Sequence, residues 1–214
     1  GSEREIKATV PDGYVFYKWT VESGEAVIAN ANSASTTVTV NTSATVKAHF
    51  IPLHKPVPDN LAPNSTVTIE NGSITMGNIS YLNDQLYPIT TASKWALASA
   101  TGGKITMVYA LDGLYSVDNL AFTFGVDPSG VTMPSAIKIY SAINANADDR
   151  QIIADINGLT EADWAMLKVD EYPEYNSIFF RYSTDIEYPI PGRYIVVEIP
   201  PSNLMILGDT EIYG

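Results

Sequence analysis

The chain of 214 residues is poor in the side chains that do covalent or metal chemistry. Cysteine is absent, which removes disulfides, thiolate metal sites and thiol nucleophiles together. The two histidines, His49 and His54, stand five positions apart, and a Ser-His-Asp triad would have to recruit one of them. No serine sits in a G-x-S-x-G elbow. The signatures G-x-x-x-x-G-K-[ST], H-E-x-x-H and G-x-G-x-x-G are also missing. Acids remain, with Asp148-Asp149 and Glu171/Glu174 as the closest pairs. A glycosidase needs two carboxyls ~5–9.5 Å apart across a cleft, which loop neighbours rarely provide. Solvated loop charge is the simpler reading, and no enzyme is expected.

Composition narrows the partners. Twelve Lys+Arg against 24 Asp+Glu give a net charge of −12. A chain this acidic repels phosphate backbones, so neither nucleic acid nor an anionic membrane is expected as a partner. Hydrophobic residues at 45% with charged residues at 17% describe a chain that folds. No apolar run approaches the ~20 residues of a membrane span. Gly1-Ser2 reads as the remnant of a tag, and the chain as a piece of a longer protein.

The elements that would position any site read as strands. Thr36–Val40 and Ala44–Phe50 alternate with period two. Later runs are Lys104–Ala110, Asn119–Phe124, Ala136–Tyr140, Ser177–Tyr182, Tyr194–Ile199 and Thr210–Tyr213. Short strands with turn signals every ~8–12 residues predict a sandwich or barrel. One helix is expected, where Thr160 can cap Glu161–Lys168 with acids in the first turn. Three prolines among residues 52–58 favour stiff, extended backbone. The chain is therefore divided into a small β-module at 1–51, a linker at 52–62 and a main domain at 63–214.

The run Ala8-Thr9-Val10-Pro11-Asp12-Gly13-Tyr14-Val15-Phe16-Tyr17-Lys18-Trp19, closed by Thr45-Val46-Lys47-Ala48-His49-Phe50, resembles the divergent internalin-type B-repeats of bacterial surface proteins. Those read A-x-P-x-G-Y-x-F-x-x-W, then T-V-T-V, then a strand ending A-x-F. Pro11-Asp12-Gly13 supplies a tight turn, and Tyr14, Phe16 and Trp19 are expected to supply the core. The first hairpin of the pattern is missing upstream of Ile6. Such a repeat implies a spacer or protein-contact module.

The main domain is similar to galactose-binding-like domains of the discoidin or coagulation-factor C-terminal type. Asn83-Asp84 and Thr91-Ala92-Ser93-Lys94-Trp95 stand where that family has D-G-x-x-x-T-x-W. Leu114-Tyr115-Ser116-Val117 and Leu120-Ala121-Phe122-Thr123-Phe124-Gly125 follow the next two strands. Ile137–Ser141, Arg193–Ile199 and Leu207–Gly214 match the later ones, the last reading like I-S-E-I-x-V-Y-G. The order holds over about 135 residues. The implied fold is all-β, a jelly-roll sandwich with roughly eight strands. Its last strand is expected beside Ser65–Ile69.

This resemblance also implies sites. A structural Ca²⁺ would take Asp84 and Thr91 from the loop and Glu211 from the last strand, although one carboxylate of the family pattern is replaced in Asn83-Asp84-Gln85. A glycan would bind at the loops on one end, where rings cover the apolar face of a sugar and planar polar groups meet its hydroxyls. Tyr87, Tyr172 and Tyr175 lie in such loops, as do Asn146, Asp148 and Arg150. Trp95 and Trp164 are read as packed. The function expected is a non-catalytic carbohydrate-binding or adhesion module, monomeric, within a secreted or surface-attached bacterial protein. The competing expectation is a structural spacer or a protein-contact domain that meets its neighbours in the parent chain.

Overall fold

The computed structural model describes residues 1–52, 59–85, 95–126, 131, 133–146, 148–172, 177–200 and 204–214. The chain divides into two compact units, Gly1–Lys55 and Pro56–Gly214. Among the described residues no helix is long and apolar enough to cross a membrane.

In the first unit, β1 (Ser2–Lys7), β4 (Ser35–Val40) and β3 (Ala26–Ile28) form one antiparallel sheet in that order. The strands β2 (Tyr14–Ser23) and β5 (Thr45–Pro52) form a second. The turn at Pro11–Tyr14 closes by the Tyr14 amide donating to the Pro11 carbonyl at 3.1 Å, with Gly13 at φ +76°. That left-handed position is why glycine stands there. Trp19 is the anchor: it is buried, its ring lies 5.6 Å from Phe16, and its indole N–H donates to the Ser33 carbonyl. Tyr14 departs from expectation. It remains 43% exposed, so the small core rests on Ala8, Trp19 and Val38 with Phe16 and Phe50 alongside.

The second unit is an antiparallel jelly-roll sandwich. Two strands organise it, β9 (Ile105–Val126) and β13 (Ser177–Ile199). Each joins two runs that alternation alone separates, because each bends from one layer into the other. The first half of β9 pairs β6 (Thr66–Glu70), while its second half pairs β14 (Leu204–Tyr213). Likewise β13 pairs β12 (Lys168–Tyr172) early and β10 (Ala136–Ala142) late. β11 (Gln151–Asn157) lies outside β10, and β8 (Ala96–Ala100) with β7 (Gly72–Met76) continue beyond β14.

The core fills the space between these layers. Ile105, Met107 and Tyr109 face inward from one half of β9, and Leu120, Phe122 and Phe124 from the other. Burial alternates along Met107–Leu111, as on a half-solvated antiparallel sheet, whereas Leu120–Gly125 is buried at every position. The Tyr109 hydroxyl meets Thr210 Oγ1 at 2.7 Å, which satisfies a fully buried phenol whose pKa burial drives upward.

Helix α1 (Glu161–Met166) starts where predicted. Thr160 Oγ1 accepts from the Asp163 amide, and the Asp163 carboxylate accepts from the Thr160 amide at 2.8 Å, a closed capping box. Removing the hydroxyl with Thr160→Ala should destabilise the second unit by about 1 kcal/mol in urea unfolding.

Two expectations on connectivity need correction. The predicted linker ends too late, because Leu61 and Ala62 are buried in the second unit. The Leu61 amide donates to the Ile212 carbonyl at 2.7 Å, and Asn60 Oδ1 accepts from the Ile212 amide at 2.9 Å. It is therefore this segment, rather than the Ser65–Ile69 strand, that meets the last strand. The β8 pairing of β14 stops at Leu207, so the backbone groups of Ile212 must find other partners, and Asn60–Leu61 supply them.

Candidate functional site

Three places concentrate polar chemistry on the second unit. The first is the loop between β10 and β11. Asp149 holds it: its carboxylate accepts from the amides of Ile143 and Asn144 at 3.1–3.3 Å. Asn144 Nδ2 donates to Asp148 at 3.2 Å. With Asp149 spent on the backbone, Asn146 and Asp148 are left exposed. Arg150, read with them from the sequence, is drawn elsewhere. Its guanidinium donates to Glu198 Oε1 at 2.9 Å and lies over the Tyr140 ring. Tyr172 ends β12 opposite Ser177, so its backbone flanks the β12–β13 connection. The Tyr172 side chain, like Tyr87, Thr91 and Tyr175 as a whole, lies outside what the structure describes.

The second place is an acidic corner beside the last strand. Asp209, Glu211, Asn60, Gln85 and Tyr213 line a cleft of about 190 Å³. Gln85 takes a positive φ of 61° and donates its amide to Asp209 Oδ1 at 3.1 Å. Burial first, then the nearby Asp84 and Glu211 charges, push Asp209 up to about 7. Glu211 is held differently. Arg181 reaches across from β13 with a two-pronged grip, Nε to Oε1 at 3.2 Å and Nη2 to Oε2 at 2.8 Å. The Tyr213 hydroxyl adds a bond at 2.9 Å.

The donor chemistry here is oxygen-rich, which suits a hard cation. However, Glu211 already has a guanidinium on both oxygens. Among the described residues no group of three acids or histidines converges on one point that could hold a metal. Asp84 and Glu211 alone are not a cage.

The third place is the outward face of the β11-β10-β13-β9 layer. Registers set Asp155 opposite Lys138 and Lys138 opposite Glu198. Lys138 meets Asp155 at 2.8 Å, and Lys104 meets Glu198 at 2.7 Å. Burial pushes the Glu198 carboxyl up, but Lys104 and Arg150 outweigh it and leave it below the usual carboxylate range.

Sequence reasoning missed Asp209, Arg181 and the charge row on the sheet. Asp209 stands two residues before Glu211, which in a regular strand would put both on one face. That spacing was a signal that could have found it, since both line the same cleft. Arg181 had no readable signal, since its partner is 30 positions away.

Comparison with known proteins follows these divisions. Residues 1–52, about a quarter of the chain, match the family model described as the Divergent InlB B-repeat domain. No curated protein matches the chain. Among solved structures, CBM32-1 from a family 31 glycoside hydrolase of Clostridium perfringens aligns with a TM-score of 0.51 at 12% identity, covering 73% of this chain and 99% of that one. Chitosan-binding module 1 from a chitosanase/glucanase of Paenibacillus sp. IK-5 aligns at 0.51 and 11% identity, again over 73% and 99%. A fucolectin from striped bass (Morone saxatilis) serum aligns at 0.50 and 15% identity, over 85% of this chain and 57% of that one. At such identities the likeness establishes the fold.

Proposed function

We propose that the second unit is a non-catalytic carbohydrate-binding module of a secreted or surface-attached bacterial protein. The observation that carries this reading is the sandwich itself, which aligns with nearly the whole of a Clostridium perfringens family 32 module. The glycan would sit at one end of the sandwich. Asn146 and Asp148, left exposed by the Asp149-anchored turn, would meet its hydroxyls, and Tyr87, Tyr172 and Tyr175 would offer rings to its apolar face. Exposed loops make a shallow site, so affinity per module would be weak and repeated modules would supply avidity. Neighbouring domains of the parent protein are the other partners, and the unit is expected to act as a monomer. For the first unit the B-repeat match favours a spacer or contact role.

A structural Ca²⁺ in the acidic corner is a proposal of the same kind. Asp84 and Thr91 would supply oxygen, and Glu211 could join only by sharing its carboxylate with Arg181.

A glycan array probed with the intact chain tests the main reading. Reproducible binding that drops at least about tenfold in Asn146→Ala/Asp148→Ala and in Tyr172→Ala is the expected result. Silence against neutral and acidic glycans alike would leave a structural module as the better account.

A further inference from the structure

The charge on the chain is unevenly placed. The first unit carries five Lys+Arg and five Asp+Glu, and the second carries seven against nineteen, so the whole −12 falls on the sandwich. Three of those seven cations, Lys104, Lys138 and Arg150, nevertheless gather on the outward face of one layer. Beside them is an open cleft of about 430 Å³, with Lys104, Lys138, Asp155, Asn157 and Glu198 in its lining. That volume falls within the ~300–1,000 Å³ of small-molecule sites.

Two features point to a ligand there. Lys104 and Arg150 both donate to the same oxygen, Glu198 Oε1, at 2.7 and 2.9 Å. The lining itself sets two cations, Lys104 and Lys138, against two acids, Asp155 and Glu198, and Arg150 adds a third cation on Glu198 from outside the lining, on a unit that otherwise repels anions. These ion pairs are also loose, with lysine side chains 35–43% exposed. The Lys138–Asp155 pair is exposed on both sides and holds by only ~0–1 kcal/mol, so Lys138 can turn to a ligand at little cost, while Glu198, largely covered, keeps Arg150 if Lys104 swings away. The acids then select its chemistry. A bare anion such as phosphate would meet repulsion from Asp155 and Glu198. A polyol bearing one carboxylate would instead donate hydroxyls to the acids, accept from Asn157 and the lysines, and offer its carboxylate to the surplus charge.

We infer that this sheet-face cleft is a second saccharide site, distinct from the end loops, which binds a pyranose carrying a carboxylate. The inference rests on the carbohydrate-binding reading only for the class of ligand. Two sources share that chemistry, a uronate within a polysaccharide and a sialic acid at a glycan terminus.

Titration of the ¹⁵N-labelled chain with trigalacturonate and, separately, with 3′-sialyllactose tests it. Amide shifts centred on Lys104, Lys138, Asn157 and Glu198 are expected with one or both. Affinity should weaken at least about tenfold in Lys104→Gln/Lys138→Gln and about threefold between low and physiological salt. Asn157→Ala, which leaves both lysines in place, should also weaken binding with an unchanged circular dichroism spectrum. Shifts confined to residues 143–150 or to the β12–β13 connection would overturn the second site and leave the end-loop reading standing. No shift with either acidic saccharide would overturn it as well, whatever the array shows for neutral glycans.

Discussion

Truncation of Trp164 to alanine is expected to cost the second unit about 3–5 kcal/mol, the range for removing a fully buried aromatic ring. Trp164 is 2% exposed and forms edge-on contacts with Phe124 at 5.6 Å and Phe180 at 6.1 Å. Its indole N–H donates to the Pro134 carbonyl at 2.9 Å. One side chain thus joins α1 to both long strands and to the segment that leads into β10. Alanine would open a cavity among the rings and leave the Pro134 carbonyl unpaired, and the two penalties add. Phenylalanine separates them. Trp164→Phe keeps most of the ring volume and should cost only about 1–2 kcal/mol for the lost hydrogen bond. Urea unfolding followed by far-UV circular dichroism reads both variants. A loss under about 1 kcal/mol for Trp164→Ala would mean the helix is a passenger on the sheet.

That anchor was readable in advance, and its readability has a local cause. Thr160, Asp163 and Trp164 form a cap and an apolar anchor within five residues, so no distant partner is needed to recognise them. The same holds for the Pro11–Tyr14 turn and for the alternating strands. What escaped were features whose partners lie far along the chain. Residues 111–118 look like a break between two strands, yet Leu111, Leu114 and Val117 are buried, because β9 turns from one layer into the other at that point. Asn60 and Leu61 look like linker until Ile212, some 150 positions on, takes their hydrogen bonds. Tyr14 looks like core because the residues at its spacing, Phe16 and Trp19, turn inward. It sits instead at the exposed start of β2, directly after the Pro11–Gly13 turn.

The candidate sites divide along the same line. The exposed loop that carries Asn146 and Asp148 was legible because a run of small polar residues between strands must form a solvated loop. The charged cleft on the sheet face was not, since Lys104 lies just before β9, Lys138 on β10 and Arg150 just before β11, and only the fold brings them together. Nothing in the local sequence of any one of them marks it. The acidic corner falls between the two cases. Glu211 was legible from the ordered run Leu207–Gly214, whereas the grip of Arg181 on it, and the burial of Asp209 beside it, depend on how β13 and β14 flank β9.

The acidic corner sets a pH dependence of defined sign. Asp209 is 3% exposed and its pKa rises from 3.8 to about 7, with burial as the main cause and Asp84 and Glu211 adding repulsion. A carboxyl raised in the folded state binds its proton more tightly there than in the unfolded chain. It therefore adds stability that is fully present below pH 3.8 and is lost as pH rises through about 7. At ~1.4 kcal/mol per unit the shift is worth at most about 4 kcal/mol, and water in the cleft reduces this to about 2. Other carboxyls titrate over part of this window, so the comparison with Asp209→Asn isolates the effect. The side-chain oxygen that remains in Asp209→Asn can still accept from the Gln85 amide, so the substitution removes the charge and keeps the hydrogen bond. In chelator the variant should match the native chain near pH 4 and exceed it by about 2 kcal/mol at pH 8. Parallel stability profiles for the two would show that Asp209 ionises freely. Addition of Ca²⁺ at pH 8 then decides the metal proposal. A cation in the corner would stabilise the native chain more than Asp209→Asn, because it would neutralise the carboxylate that the substitution removes. Equal or zero shifts would leave Arg181 as the corner's resident counter-charge and the module as one that folds without metal.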